Sequence, residues 1–292
     1  MDLSDVAAVR QLLSRHGFRF SHSLGQNFIT DASVCPRMAE LCGADLSSGV
    51  LEIGPGVGVL TKELSLKAGR VVAVELDRAL EPVLTETLAS CRNVRIVWGD
   101  VMKLDLAELL RSEFGGMEVF VCANLPYYIT SPVVMRFLEE KLPVSALTVM
   151  VQREAAERLC ALPGTRAAGA VTVAVRYYAE PEILFPVPRS SFFPQPNVDS
   201  AVIRLTVRKT PPVDVPDEKA FFAVVKAAFG QRRKTAANSV AAGLSLPKER
   251  VAAALRQIGV RTDARAERIT MQQFAALSTL LQPERGISNE QP

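Results

Sequence analysis

The chain has 292 residues, of which 48% are hydrophobic and 22% charged, and its formal net charge is +3. This length predicts one large domain and one small domain with a sizeable core. Five cysteines without a C-x-x-C pair and only two histidines exclude the usual zinc sites, and no window approaches the ~20 apolar residues of a membrane span.

The first residues contain Asp2 and Asp5 and no long apolar run, so we expect no signal peptide. We expect the cysteines to be reduced thiols of a cytoplasmic protein. The stretch from Arg10 to His22 contains Arg10, Arg15 and Arg19 and no acidic residue. We assign residues 1–45 to an N-terminal helical segment that caps the first domain.

From residue 50 onward, short apolar runs alternate with stretches of helical periodicity. A Gly-rich turn and a helix from about Leu60 follow the first run, and a helix near 77–90 follows the second. Strands that alternate with helices predict a parallel, doubly wound sheet of Rossmann-like α/β type. The predicted strands are VLEIG (50–54), VVAVEL (71–76), NVRIVWGD (93–100), MEVFVCANLP (117–126) and ALTVMVQ (146–152).

The pattern changes after the fifth strand. Residues 169–178 fit a helix or a strand, because their β-branched content favours a strand and their length a helix. Residues 181–188 and 198–208 predict an antiparallel hairpin at the sheet edge, joined by the Pro-rich loop 190–197. We therefore place the first domain at residues 1–210.

The C-terminal part of the chain is Ala-rich and predicts a small helical domain at residues 218–282. Residues 209–218 contain three prolines and no periodicity, which is typical of a linker. We expect residues 283–292 to form a disordered tail.

A Gly-rich turn joins the first predicted strand to the first helix. Gly54, Gly56 and Gly58 allow the backbone to turn sharply and to approach a ligand. A turn of this kind also occurs without any ligand. Glu75 favours the ligand, because an acid at the end of the second strand can accept hydrogen bonds from both hydroxyls of a ribose. Taken alone, Glu75 could be an exposed strand-end acid.

Two features favour S-adenosylmethionine over a nicotinamide cofactor. Pro55 and the single residue between Gly56 and Gly58 depart from the G-x-G-x-x-G pattern of dinucleotide sites. Asp100, at the end of the third strand, can accept from an adenine amino group, and the backbone of Val101 can serve the ring edge. Asp100 could instead be the N-cap of a helix that begins before Leu104.

The fourth strand ends in the motif Asn124-Leu125-Pro126-Tyr127. The exocyclic amine of adenine is a poor nucleophile, and it needs two acceptors that orient its N–H bonds while the lone pair faces the methyl donor. The side-chain oxygen of Asn124 and the carbonyl of Leu125 can supply them, with Pro126 fixing the turn. Tyr127 can stack on an extruded base. Without a ligand, the same motif could be a strand-end turn with a packed tyrosine.

Together these motifs resemble the small-subunit (16S) ribosomal RNA adenine N6,N6-dimethyltransferase family over almost the whole chain. The resemblance implies a class I methyltransferase fold, S-adenosylmethionine as cofactor and two adjacent adenosines of a hairpin loop near the 3′ end of 16S RNA as substrate. The matching segments are HSLGQNFI (22–29), LEIGPGVGVLT (51–61), VVAVELD (71–77), GDVM (99–102), NLPYYITSP (124–132), SFFPQPNVDS (191–200) and FGQRRKT (229–235).

The resemblance also implies roles for individual residues. Phe192 would be a second aromatic that sandwiches the base against Tyr127, although it could also anchor a loop. Ile29 and Ala236 stand where the family commonly has leucine, which does not put the activity in doubt. The cofactor-binding set implied by motif and resemblance is Gln26, Asn27, Ile29, Gly54, Gly56, Glu75, Leu76, Asp100, Val101 and Asn124.

The predicted helical domain is strongly basic. Residues 226–268 contain ten Lys or Arg and three acidic residues, whereas the whole chain has a net charge of only +3. Such asymmetry is typical of contacts to an RNA backbone. We expect Arg232, Arg233 and Lys234 to contact phosphate, although a basic run can also be a solvated helix face.

Four alternatives remain open from the sequence. They are a macrolide-resistance type methyltransferase of large-subunit RNA, a DNA adenine methyltransferase, a non-catalytic assembly or transcription factor, and a nicotinamide oxidoreductase. We expect the small-subunit precursor as partner, a monomer, no metal and no membrane association.

Overall fold

The computed structural model describes residues 3–20, 25–231 and 233–282. Contacts between Cα atoms divide the chain into two units, one of residues 1–160 and 178–209 and one of residues 161–177 and 210–292. The first domain was predicted to include residues 161–177, which instead lie in the second unit because Tyr177 packs against Phe221 and Phe222 there. The predicted tail, 283–292, lies outside the described residues.

A seven-stranded sheet forms the centre of the first unit. Its first five strands in spatial order are parallel, and the sixth is antiparallel to both of its neighbours and forms a hairpin with the seventh, so the predicted Rossmann-like α/β fold with an antiparallel closing strand is confirmed. The strands in spatial order are β4 (Val94–Trp98), β3 (Arg70–Glu75), β2 (Gly49–Ile53), β5 (Val119–Asn124), β6 (Ala146–Gln152), β9 (Ser200–Val207) and β7 (Ala179–Val187).

Among the described residues, seven helices accompany this sheet. They are α1 (Val6–Arg15), α2 (Val34–Leu41), α3 (Val59–Lys67), α4 (Glu81–Thr87), α5 (Leu106–Phe114), α6 (Thr130–Glu139) and α7 (Arg153–Cys160). All five residues of β2 are buried, so both faces of the sheet are covered. Residues of α2 and α3, among them Met38 and Leu64, pack in one cluster with Val50 and Val71 of the sheet.

A second, two-stranded sheet was not predicted. It pairs β1 (Phe28–Ile29) with β8 (Phe192–Phe193) in antiparallel register, so that Ile29 lies opposite Phe192. Phe28 and Phe193 of this sheet form an aromatic group with Phe20, and their ring centroids lie 5.4 and 5.5 Å from that of Phe20. This pairing fixes the N-terminal segment to a loop about 160 residues later in the chain.

The second unit is helical. Residues 169–178, which fitted a helix or a strand, form α8 (Ala170–Tyr178), of which all but the last residue belong to this unit. The other helices are α9 (Glu218–Phe229), α10 (Ala236–Leu244), α11 (Lys248–Gln257) and α12 (Met271–Leu281). Asp217 caps α9, Thr235 caps α10, and Thr270 with Gln273 forms a capping box on α12.

Candidate active site

A cavity of about 1290 Å³, including its open mouth, lies at the carboxyl ends of the central strands. β2, β3, β4 and β5 all end at this edge, because they are parallel and in register. Ligands bind at this edge in open α/β sheets. The structure brings all fourteen predicted catalytic and cofactor residues to its lining: Gln26, Asn27, Ile29, Gly54, Gly56, Glu75, Leu76, Asp100, Val101, Asn124, Leu125, Pro126, Tyr127 and Phe192.

The Gly-rich turn after β2 has the left-handed backbone that its glycines allow. The φ angles of Gly54, Gly56 and Gly58 are 70°, 57° and 88°. The N–H of Gly54 donates to the carbonyl of Val74 at 2.9 Å, which holds the turn against β3. A Cβ on Gly54 would meet nothing within 4 Å, so the missing side chain leaves open space in the cavity.

Glu75 lies at the end of β3, and only 6% of it is exposed. It is therefore not an exposed strand-end acid. Its Oε1 accepts a hydrogen bond from the N–H of Asp77 at 2.7 Å. Burial raises the pKa of Glu75, and hydrogen bonds from the Asp77 and Gly56 backbone partly offset the rise. The carboxyl is thus held in place before any ligand enters.

Asp100 follows β4 and organises a tight turn. Its Oδ1 accepts from the N–H of Met102 at 2.9 Å, and its carbonyl accepts from Leu104 at 3.0 Å. The possibility that Asp100 caps a helix is wrong, because α5 begins only at Leu106 and Asp105 is its N-cap. The turn leaves Asp100 and Val101 on the cavity wall.

Asn124 connects the end of β5 to the N-terminal segment. Its Nδ2 donates to the carbonyl of Asn27 at 3.1 Å, so the amide offers Oδ1 as an acceptor. Gln26 Nε2 donates to Asp77 Oδ2 at 2.7 Å, beside Glu75. The predicted motif begins at His22, but residues 21–24 lie outside the described residues. The described part, residues 25–29, is fastened across one wall of the cavity.

The aromatic residues of the site differ in exposure. Tyr127 is partly buried, and its hydroxyl bonds to Ser200 Oγ at 2.9 Å. Phe192 is only 4% exposed and packs in the cluster that contains Ile29, so it lines the cavity and also belongs to the core. Tyr128 is 57% exposed and lines the same cavity, which sequence reasoning missed.

Sequence reasoning also missed Glu52. This residue of β2 is 1% exposed, lines the cavity, and has its pKa raised to about 8 by burial. The sequence contained a signal for Glu52, because an acidic residue in an otherwise apolar strand is unusual. Together with Glu75 and Asp100 it gives the cavity three carboxyls, and none of the described lining residues is Lys, Arg or His.

The predicted RNA-binding residues lie in the second unit. Arg233 and Lys234 are exposed in the turn between α9 and α10, whereas Arg232 lies outside the described residues. Two other basic residues already have partners. Arg261 pairs with Asp263 at 2.7 Å, and Arg250 donates to the carbonyl of Gln282 at 2.9 Å, next to the end of α12.

All five cysteines are free thiols. No group of three or more His, Cys, Asp or Glu residues suited to a metal ion occurs in the part of the chain that the structure describes. Over the same residues, none of the helices is both long and apolar enough to cross a membrane.

Comparison with known proteins identifies similar sequences over nearly the whole chain. The ribosomal RNA small subunit methyltransferase A of Geobacillus thermodenitrificans is 46% identical over 286 residues, which cover 97% of this chain and 98% of the relative. The protein of the same name from Alkaliphilus oremlandii is 44% identical over 282 residues, 96% of this chain and 98% of the relative.

Two solved structures have a similar fold. The 23S rRNA methyltransferase ErmE is 28% identical with a TM-score of 0.67, covering 87% of this chain and 99% of that one. A dimethyladenosine transferase from Plasmodium falciparum is 21% identical with a TM-score of 0.70, covering 86% and 95%, and this likeness concerns the fold alone.

The family comparison agrees with these relatives. The model of the ribosomal RNA adenine dimethylase family matches residues 17–283, which include the whole cavity and most of both units. The chain is therefore a methyltransferase that belongs to the ribosomal RNA adenine dimethylase family.

Proposed function

We propose that the protein transfers methyl groups from S-adenosylmethionine to the N6 amines of two adjacent adenosines in a hairpin loop near the 3′ end of 16S RNA, during assembly of the small subunit. The full-length relatives, which are named small subunit methyltransferases, support this substrate. We further propose a monomer that acts in the cytoplasm.

The charge of the cavity lining carries the cofactor assignment. The carboxyls of Glu75 and Asp100, with no basic side chain among the described lining residues, suit a cationic sulfonium group, whereas Glu52 is protonated below about pH 8 and adds no charge. A dinucleotide would bring a pyrophosphate into this negative surface, where like charges repel. The open space at Gly54, which a Cβ would occupy, fits a cofactor that lies close to the backbone.

Separate residues would hold the parts of the cofactor. Glu75 would accept from the ribose hydroxyls, Asp100 from the adenine amino group, and the Val101 N–H would bond the ring edge. Asn27, Ile29, Gln26, Leu76 and the backbone of Gly54 and Gly56 would complete the shell.

When bound, S-adenosylmethionine supplies an electrophilic methyl group. The residues of the protein orient the amine that receives it. Asn124 Oδ1 and the Leu125 carbonyl would accept the two N–H bonds, which directs the nitrogen lone pair toward the donor. Tyr127, held by Ser200, would stack on one face of the extruded base, and Phe192 would contact the other face. The proton of the methylated amine can pass to solvent, so no strong base is needed.

The second unit would bind the RNA backbone. Its basic residues include Arg233 and Lys234, which are exposed, and we propose that Arg232 contributes with them. Such contacts hold RNA mainly through phosphate and shape rather than base sequence.

The structural likeness to ErmE favours one second candidate, methylation of large-subunit RNA. Incubation of the protein with labelled S-adenosylmethionine and undermethylated small or large subunits separates the two. We expect label only in small-subunit RNA. Label only in large-subunit RNA would establish the second candidate, and no label from protein that binds S-adenosylhomocysteine would indicate a non-catalytic binding factor.

A further inference from the structure

Arg136 contacts the cavity wall from behind. It lies on α6, with its side chain 15% exposed. Its guanidinium donates through Nη1 to the carbonyl of Val101 and through Nη2 to the carbonyl of Leu104 at 2.8 Å. Its Nε bonds Glu140 Oε1 at 2.9 Å.

These two carbonyls belong to the turn that Asp100 begins. Inside the turn, Asp100 accepts from the N–H groups of Met102, Lys103 and Leu104. Arg136 holds the same turn from outside, at its second and fifth residues. A planar guanidinium that bonds two carbonyls fixes their relative orientation, which a lysine with one compact charge cannot do equally well. The backbone of Val101 is thereby fixed beside the Asp100 carboxyl.

The helix that carries Arg136 begins at the proposed methyl-transfer motif. The N–H of Ile129 donates to the Pro126 carbonyl at 3.1 Å, and Thr130, the first residue of α6, is buried. One helix therefore connects the turn that would hold the target amine with the turn that would hold the adenine of the cofactor.

We propose that Arg136 is a positioning residue for the cofactor, which acts by holding Asp100 and Val101 in the arrangement that recognises the adenine edge. This inference rests on the proposed function, because it takes S-adenosylmethionine as the ligand of the cavity. Arg136 itself does not line the cavity, so its effect passes entirely through the turn.

The test compares two ligands in the Arg136→Ala protein. S-adenosylhomocysteine has the adenine amino group, whereas S-inosylhomocysteine has a carbonyl at that position. We expect the Kd of S-adenosylhomocysteine to rise roughly tenfold, the effect of losing one well-placed hydrogen bond. The Kd of S-inosylhomocysteine should change less, so the preference for adenine falls.

Two variants serve as controls. Arg153→Ala removes an arginine with a matched i,i+4 ion pair to Glu157, and Glu140→Gln removes only the ion pair of Arg136. Both should retain the wild-type preference. If Arg136→Ala does not fold, Arg136→Lys replaces it and should lower the preference by a smaller factor. An unchanged preference, or equal losses for both ligands, would overturn the proposal.

Amide hydrogen exchange provides a second readout without ligand. We expect faster exchange at Met102, Lys103 and Leu104 in the Arg136 variant than in the Arg153 variant. Equal rates would contradict the positioning role. Wild-type protein that binds neither ligand would contradict the proposed function instead, and the exchange data would still decide whether Arg136 orders the turn.

Discussion

The two ends of the Asn124 side chain are chemically distinct in this structure. Nδ2 donates to the carbonyl of Asn27, and that bond fixes which end of the amide offers an acceptor. The N-terminal segment therefore does more than cover one wall of the cavity. It orients the side chain on which the proposed chemistry depends, since an inverted amide would present N–H groups to the amine of the substrate.

We expect Glu75 to make cofactor binding sensitive to acid. Its carboxylate can accept from two hydroxyls, whereas the protonated form loses acceptor capacity, and burial raises its pKa. Affinity for S-adenosylhomocysteine should therefore fall on acidification at a higher pH than an ordinary glutamate would cause. Calorimetry between about pH 7 and pH 5 avoids the ionisation of Glu52.

The matched variant is Glu75→Gln, which should bind more weakly near neutral pH and lose most of the pH dependence. A wild-type Kd that begins to rise only at the pH where an ordinary glutamate is protonated would contradict the role of this carboxylate.

Glu52 should make stability depend on pH. Its pKa is about 8 in the folded protein, above the ordinary glutamate value of 4.5, so the folded state holds the proton more tightly. The resulting stabilisation is complete below the unfolded pKa and is lost as pH rises through about 8. Between about pH 6 and pH 9 the free energy of unfolding should fall by about 3 kcal/mol relative to Glu52→Gln. The free energies of unfolding are measured with urea. The same pH dependence in the wild type and in Glu52→Gln would contradict this prediction.

At the level of elements, a substitution in the turn between β2 and α3 can test how closely a ligand approaches the backbone. Gly54→Ala places a methyl group in the open space of the cavity and strains a backbone with φ of 70°. Gly115→Ala is the matched control, because Gly115 has φ of 55° and open space but lies at the end of α5, away from the cavity.

Both substitutions should destabilise the fold by about 1–2 kcal/mol, the cost of a left-handed alanine. Only Gly54→Ala should weaken S-adenosylhomocysteine, by roughly tenfold through overpacking. Equal binding by the two variants in a titration would show that no ligand lies against this turn.

The predictions that succeeded depend on local patterns. Residues 146–152 form a strand with the predicted bounds, because an apolar run between turn signals determines a buried strand by itself. The lining residues follow from such strands, since parallel strands bring their carboxyl ends to one edge. The pairing of Ile29 with Phe192 could not be predicted, because no local pattern selects a partner so distant in the chain.

Other features depend on tertiary contacts. The β-branched side chains of residues 170–178 favour a strand. The segment nevertheless forms a helix, in which Tyr177 packs on Phe221 and Phe222. Arg136 had no sequence signal, because an arginine on an amphipathic helix is normally solvated, and only the fold brings it to the carbonyls of Val101 and Leu104.

For the whole molecule, the distribution of charge matters more than its sum. The net charge is only +3, yet the lining of the cavity is acidic and residues 226–268 are basic. We therefore expect the affinity for the RNA substrate to fall steeply with salt, while the affinity for S-adenosylhomocysteine should change little.

Arg233 and Lys234 should account for part of that salt dependence. Replacing both by alanine should reduce the slope of log K against log salt by about 1.5 to 2. Arg261→Ala is the control, because Asp263 already neutralises that arginine. Filter binding over a range of salt concentrations gives the slopes. A smaller slope for the Arg261 variant than for the double variant would contradict the assignment.

The most direct test of the account is the nucleoside product formed by wild-type protein and by Asn124→Ala. Both proteins are incubated with S-adenosylmethionine and undermethylated small subunits, and the digested RNA is analysed by mass spectrometry. We expect N6,N6-dimethyladenosine from the wild type and at least about a hundredfold less from the variant, with its fold retained. Dimethyladenosine formed by the variant at the wild-type rate would remove Asn124 from the mechanism, and a methylated product other than N6-methylated adenosine from the wild type would refute the proposed reaction.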